Sequence, residues 1–163
     1  MNPALSKEDI LNSRRESVAN ARIKKIYARL EKKNLDALLV SCAHNITYLT
    51  KFISRDSYFL VSPKGNIYFT DPRYTEEARI GLKGIAEIHK VNGSLFKIAA
   101  DALRGLGLKR VGFEERRLTY SEHKKIKEAL KRTISLIPTH SLIEEERQIK
   151  DAQELEKIKK AVR

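Results

Sequence analysis

The chain has 163 residues, with 33 Lys and Arg against 21 Asp and Glu for a formal charge of +12. That length admits one domain able to bury roughly 70% of its unfolded surface without a disulfide staple, and the single Cys42 points to a reducing compartment. No apolar run approaches the roughly 18 residues of a membrane span, and the charged N-terminus lacks a signal-peptide core, so a cytoplasmic protein is expected.

So positive a chain raises nucleic acid as a partner. Its basic pairs, among them Arg14–Arg15, Lys32–Lys33 and Lys124–Lys125, are scattered without interleaved aromatics or a known binding motif. A solvated Lys/Glu-rich surface is the preferred reading, and nucleic acid is disfavoured.

Ser6 with Asp9 has the form of a helix start. Ile23, Ile26, Tyr27 and Leu30 then share a face at three- and four-residue spacing, which predicts a helix over about 19–33 that Asn34 ends in the left-handed conformation. Whether that helix reaches back to Ser6 stays open. From Leu35 to Val40 five of six positions are apolar, too short a run for a lone helix, so the spacing predicts a strand buried on both faces. Cys42 at its end reads as a small buried hydrophobe. Asn45 is expected to cap a short helical turn that carries Ile46 and Leu49 on one face.

Lys51 to Ser57 reads as a polar loop. Tyr58–Val61 and Asn66–Thr70 flank Ser62-Pro63-Lys64-Gly65, where Pro presets φ and Gly supplies freedom, so a hairpin follows. Asp71 is placed to cap a helix whose first residue is Pro72, with Glu76 and Glu77 in a turn where the dipole favours negative charge. Gly81 and Gly84 break it, and Ala86–Val91 alternates as a strand. A helix from Ser94 carries Leu95, Ile98, Ala99, Ala102 and Leu103 on one face. Lys109–Glu114 is the next strand, a Thr119–Glu122 capping box opens a helix to about Arg132, and Ile134–Pro138 makes a sixth strand. Six strands, one hairpin and three intervening helices predict an α/β domain with a mixed sheet covered by helices.

Asp151 and Glu154 form another capped start, and Leu155, Ile158 and Val162 beyond them need an apolar surface to cover them. The expectation is that this helix begins a further domain of a longer protein.

Chemistry is sparse. The four histidines, His44, His89, His123 and His140, stand in separate segments without the spacing of a metal site. No Gly-rich phosphate loop follows a strand, Cys42 and His44 are too close for a preorganised dyad, and Glu114 and Glu144 read as solvated helix starts.

Four stretches together resemble a known family. They are Asp36-Ala37-Leu38-Leu39-Val40 running into Asn45-Ile46-Thr47-Tyr48-Leu49-Thr50, then Thr70-Asp71-Pro72-Arg73-Tyr74, then Val111-Gly112-Phe113-Glu114, and finally the Leu142–Ile158 run. All are similar to segments of the N-terminal domain shared by creatinase, prolidase and aminopeptidase P. The resemblance spans roughly residues 21–163 and implies a six-stranded mixed sheet of ribonuclease H-like arrangement. It divides the chain into an arm (1–18), the domain (19–141), and a linker with the first helix of an absent catalytic domain (142–163).

The resemblance further implies the non-catalytic part of a proline-specific metallopeptidase, an Xaa-Pro aminopeptidase or Xaa-Pro dipeptidase. Two divalent ions, Mn, Co or Zn, would be held by the absent domain and none by this chain. Implied partners are its own catalytic domain, a second subunit in a homodimer, and proline-containing peptides. Phe52 and Arg55 would contact substrate across that dimer, while Asn45, Tyr48, Leu49, Asp71, Arg73 and Tyr74 are motif residues with structural roles. Arg73 has a second reading as a ligand contact. The alternative functions are a stand-alone interaction module of the same fold or, less favoured, a basic nucleic-acid binder.

Overall fold

The computed structural model describes residues 7–131 and 133–162. Ser6 and Arg132, named above as helix ends, and Arg163 lie outside the described residues. Helix α1 runs from Lys7 to Lys32, crossing residue 18 without a break. Its buried face is Ala19, Ile23, Ile26 and Leu30, the three- and four-residue pattern of a helix packed on one side. Asn34 ends it at φ 53°, and the Leu35 N–H closes on the Leu30 carbonyl at 2.9 Å, as a left-handed helix stop requires.

Strand β1, Ala37–Val40, follows directly. Leu38 and Val40 enter one apolar cluster while Ala37 and Leu39 enter a second on the opposite face, so β1 is buried on both sides as its composition predicts. After α2 (Ala43–Thr50) come β2 (Ser57–Val61) and β3 (Ile67–Thr70), paired antiparallel from Ser57↔Thr70 to Leu60↔Ile67. Their turn closes from the Gly65 N–H to the Ser62 carbonyl at 3.0 Å, with Gly65 at φ 143°, a backbone only glycine adopts without strain.

The helix expected at Pro72 begins instead as a 3₁₀ turn, Pro72–Tyr74, capped by Asp71, and then continues as α3, Thr75–Gly81. Strand β4 (Glu87–Lys90), α4 (Leu95–Gly105), β5 (Arg110–Glu114), α5 (Tyr120–Ala129) and β6 (Ser135–Thr139) complete the layers. The capping box of Thr119 and Glu122 opens α5. Two helices close the chain, α6 (Leu142–Gln148) and α7 (Ala152–Ala161), the latter opened by the Asp151–Glu154 capping box.

The sheet order is β4-β3-β2-β1-β5-β6, with β2 alone reversed because it pairs antiparallel to both neighbours while the other pairings are parallel. Helices α1, α2, α3 and α6 cover one face and α4 and α5 the other. This is the six-stranded mixed α/β sheet expected from the sequence. Leu142 and Ile143 of α6 are buried in the first cluster, so helical structure belonging to the core continues beyond residue 141.

Gly112 on β5 leaves no room for a side chain. A Cβ there would lie 2.8 Å from Thr139 Cγ2, 3.1 Å from Leu35 and 3.3 Å from Leu38. Because interiors pack like crystals, these neighbours have little room to yield. Gly112→Ala is expected to cost about 1–3 kcal/mol, seen as a lower urea midpoint at unchanged slope. A midpoint equal to that of the parent chain would show that the β5–β6 seam accommodates the methyl.

Candidate functional site

The parallel strands β1 and β5 end side by side, and the Glu114 side chain turns inward there. It is 6% exposed, which overturns the reading of Glu114 as a solvated helix start. One carboxylate oxygen accepts from the Ser41 N–H at 2.6 Å, the Cys42 N–H at 2.7 Å and the Ser41 hydroxyl at 3.1 Å. The other accepts from Asn45 Nδ2 at 2.6 Å. Glu114 thus serves the N-terminus of α2, whose N-cap residue, Cys42, makes no side-chain cap bond. A carboxylate suits that place because unpaired N–H groups and the helix dipole both favour negative charge.

Asn45 is therefore not the cap expected from the sequence. It lies inside α2, fully buried, and couples the helix to α6: Nδ2 also donates to Glu144 at 2.8 Å, and Oδ1 accepts from Arg147 at 2.8 Å. Further bonds seat α6 on α1, since Arg29 holds Glu146 at 2.7 Å and Glu145 at 2.5 Å. Glu144 too belongs to this network and not to a solvated start.

Arg22 does for α7 what Glu114 does for α2. It stands on the buried face of α1, 7% exposed, with its guanidinium carbon 3.9 Å from the centre of the Tyr48 ring. Its nitrogens donate to the Tyr48 carbonyl at 2.7 Å, to Asp151 at 2.7 Å and to Glu154 at 2.9 Å. The planar fork allows one side chain to stack and to bridge two carboxylates at once, which an ammonium does not do. Tyr48 completes the joint by donating its hydroxyl to the Glu146 carbonyl at 3.2 Å.

Between α2, the 51–56 loop and α7 runs an open groove of about 710 Å³. His44, Lys51, Arg147, Lys150 and Lys157 line it, with Ile53 and Ile158 as its exposed apolar members and Glu154 as the acidic one. Along α7, Leu155 and Ile158 are each 46% exposed and Val162 is 82% exposed, the uncovered stripe anticipated from the sequence.

The remaining residues singled out by sequence are dispersed. Leu49 is core. Phe52 is buried, edge-on to Tyr68 with ring centres 5.9 Å apart, and its ring leaves no room for a Cβ at Gly81; Ile53, Arg55 and Asp56 are the exposed members of that loop. Arg73 binds Asp71 through its backbone N–H and Nε at 2.9 and 2.8 Å, approaches Asp56 at 3.6 Å, and lies 5.2 Å from the Tyr74 ring centre. These contacts tie the 3₁₀ turn to the loop before β2. Cys42 is a buried free thiol. Among the described residues no three His, Cys, Asp or Glu side chains are placed to hold a metal ion, and no helix is long and apolar enough to cross a membrane.

The anchorage of α7 carries its own pH dependence. The Glu154 N–H and then Arg22, opposed by partial burial, hold the Asp151 carboxyl below its ordinary 3.8. Burial alone would raise Glu154, but the Asp151 N–H and Arg22 outweigh it and keep the group below 4.5. Carboxyls depressed in the folded state stabilise it above their ordinary values, and that contribution is lost as pH falls through the folded ones. The helical Cα shifts of α7 are therefore expected to decay below about pH 4, before those of the sheet. In Arg22→Met, α7 should be frayed already at neutral pH. Shifts in the parent chain that persist until the sheet itself melts would refute the anchorage.

The family model described as the Creatinase/Prolidase N-terminal domain matches residues 22–149. An uncharacterized peptidase, YqhT, of Bacillus subtilis (strain 168) is 30% identical over 129 residues, covering 79% of this chain and 36% of the relative. An Xaa-Pro dipeptidase from Bacillus anthracis superposes with a TM-score of 0.79 at 30% identity, over 85% of this chain and 38% of that one. The N-terminal domain of cytoplasmic peptidase PepQ from Mycobacterium tuberculosis H37Rv superposes at 0.68 and 25% identity, over 77% of this chain and 97% of that domain. The chain thus spans little more than a third of the length of the first two. With the sheet, the motif residues and this match in agreement, the chain belongs to the creatinase/prolidase N-terminal domain family.

Proposed function

We propose that this chain is the non-catalytic N-terminal domain of a cytoplasmic Xaa-Pro metallopeptidase, an aminopeptidase or dipeptidase. Its task is to hold the start of the following domain in a fixed direction. One observation carries the reading: family likeness covers the body of the domain, and α7 then leaves that body with Leu155, Ile158 and Val162 uncovered. An apolar helical face in water calls for a partner, and the relatives' chains extend well beyond the matched part. A peptidase domain downstream would hold the metal ions, Mn, Co or Zn, and polarise the scissile carbonyl or a bound water. This chain contributes its rigid sheet, the α6–α7 joint and an exposed loop.

That loop is the proposed route to substrate in a homodimer. With Phe52 turned into the core and Asp56 beside Arg73, the group of the loop free to meet a proline-containing peptide on a second subunit is Arg55. Arg55 offers a planar fork for a carboxylate. Arg73 keeps its structural role at the 3₁₀ turn, because its contacts are to Asp71 and Asp56.

The decisive experiment reads the coding sequence past Arg163 and assays both forms on Xaa-Pro peptides with added manganese or cobalt. The 163-residue chain alone should show no turnover, and the longer protein should be active. In the longer protein Arg55→Ala should raise KM with the fold intact, a loss of about 1.5–3 kcal/mol for a hydrogen bond to a charged group. Hydrolysis by the short chain would overturn the non-catalytic reading, and unchanged kinetics in Arg55→Ala would return that residue to the surface.

A further inference from the structure

We propose that the groove between α2, the 51–56 loop and α7 is the seat of an acidic, aliphatic segment of the polypeptide that follows α7. The inference rests on the reading of this chain as the front domain of a longer peptidase, and adds the chemistry of what it docks.

The charges of the groove are sorted. Arg22 and Glu154 are used on each other, and Asp151 also binds Arg22. Arg147 spends one N–H on Asn45, and Lys150 reaches back to the Arg147 carbonyl. Lys51 sits 3.8 Å from the already engaged Glu154. Among the described residues, Lys150 and Lys157 have no carboxylate within ion-pair distance, and both are exposed together with His44. Burial first, and then the charge of Arg22, hold the Lys51 ammonium below its ordinary range, with Glu154 and Asp151 opposing them. A carboxylate entering here meets Lys51 just past α2, Lys150 on the α6–α7 link and Lys157 of α7 itself.

The apolar members narrow the choice of occupant. Ile53 at 65% and Ile158 at 46% exposure face the same space, so a purely polar anion would leave them wet. Of the two rings in the lining, Tyr48 is covered by Arg22, and the His44 imidazole is a single face where a nucleic-acid strand stacks on several in succession. A second copy of this chain, itself at +12, would set cations against the cations of this groove, so a homodimer would form through another face. An acidic segment with Leu or Ile on one side satisfies both features. The chain leaving α7 is already tethered at the groove's edge, so even a weak segment is held there at high effective concentration.

The test uses the 163-residue chain and two synthetic helical peptides of equal length with the same leucine face. One carries glutamates and the other glutamines at the flanking positions. Titration followed by backbone amide NMR should shift His44, Lys51, Ile53, Lys157 and Ile158. The glutamate peptide should bind about tenfold or more tightly at low salt, and the difference should shrink as the Debye length falls below about 10 Å. Lys150→Glu with Lys157→Glu, both exposed and outside the core, should abolish the preference while leaving the sheet amides in place.

Equal affinity of the two peptides, shifts centred on the lysines of α5, tighter binding of a single-stranded oligonucleotide at these same residues, or self-association through the groove would each overturn the proposal. Failure of the two readings is separable. A coding sequence without a peptidase domain would sink the domain assignment and leave the peptide preference measurable, whereas peptides bound equally would sink the groove and leave the assignment standing.

Discussion

The structure depends on a carboxylate placed where two parallel strands end and a helix begins. Strands β1 and β5 deliver Ser41 and Glu114 to the same level, and Glu114 takes up N–H groups that α2 cannot satisfy from its own N-cap. A buried charge is costly unless it is fully hydrogen-bonded. Here each oxygen is used, and one of the donors is Asn45, whose other bonds run to α6. The cost of burial thereby becomes specificity: α2 and α6 have one arrangement that leaves no charge unpaired, and a shift of either helix would strand Glu114. The placement of α6 against α2 is set at this point, before α7 begins.

Arg22 extends the same logic one helix further. The guanidinium is covered by Tyr48 and α1, so without Asp151 and Glu154 it would be a buried, poorly compensated cation. The first turn of α7 is thus held by an ion triad, while the rest of the helix has no covering of its own. The two ends of α7 differ, the first held by charge and the second carrying Leu155 and Ile158 exposed to solvent. An isolated helix of this length is marginal in water, so its order must follow from that charge, from a cover over those side chains, or from both.

Local signals in the sequence were legible where neighbours in the chain interact. The Asn34 stop, the Pro63–Gly65 turn, the boxes at Thr119 and Asp151, and the two-faced burial of β1 all follow from residues within a few positions of one another, and all are present. The helix at Pro72 was legible in its cap but not in its tight first turn, because one Asp71 bond serves a 3₁₀ and an α start alike. The burial of Phe52 was not legible because the room it occupies is made by Gly81, far along the chain, and nothing local distinguishes an aromatic that faces solvent in a loop from one folded under it.

The polar core leaves a fainter signal in the sequence than the turns and caps do. Arg22 lies between Ala19 and Ile26 in the α1 stripe, at a position that the helical period assigns to the core. On β5, Glu114 shares the alternation of Gly112, the face that meets Leu35 and Leu38. A charged residue on an apolar period is either an error in the period or a buried group that needs partners, and the second case makes a demand that can be searched. For Glu114 the demand is donors, which Ser41 and Asn45 supply; for Arg22 it is acceptors, which Asp151 and Glu154 supply. Such residues connect elements that the chain order leaves far apart: Glu114 joins the sheet to α2, and Arg22 joins α1 to the first turn of α7.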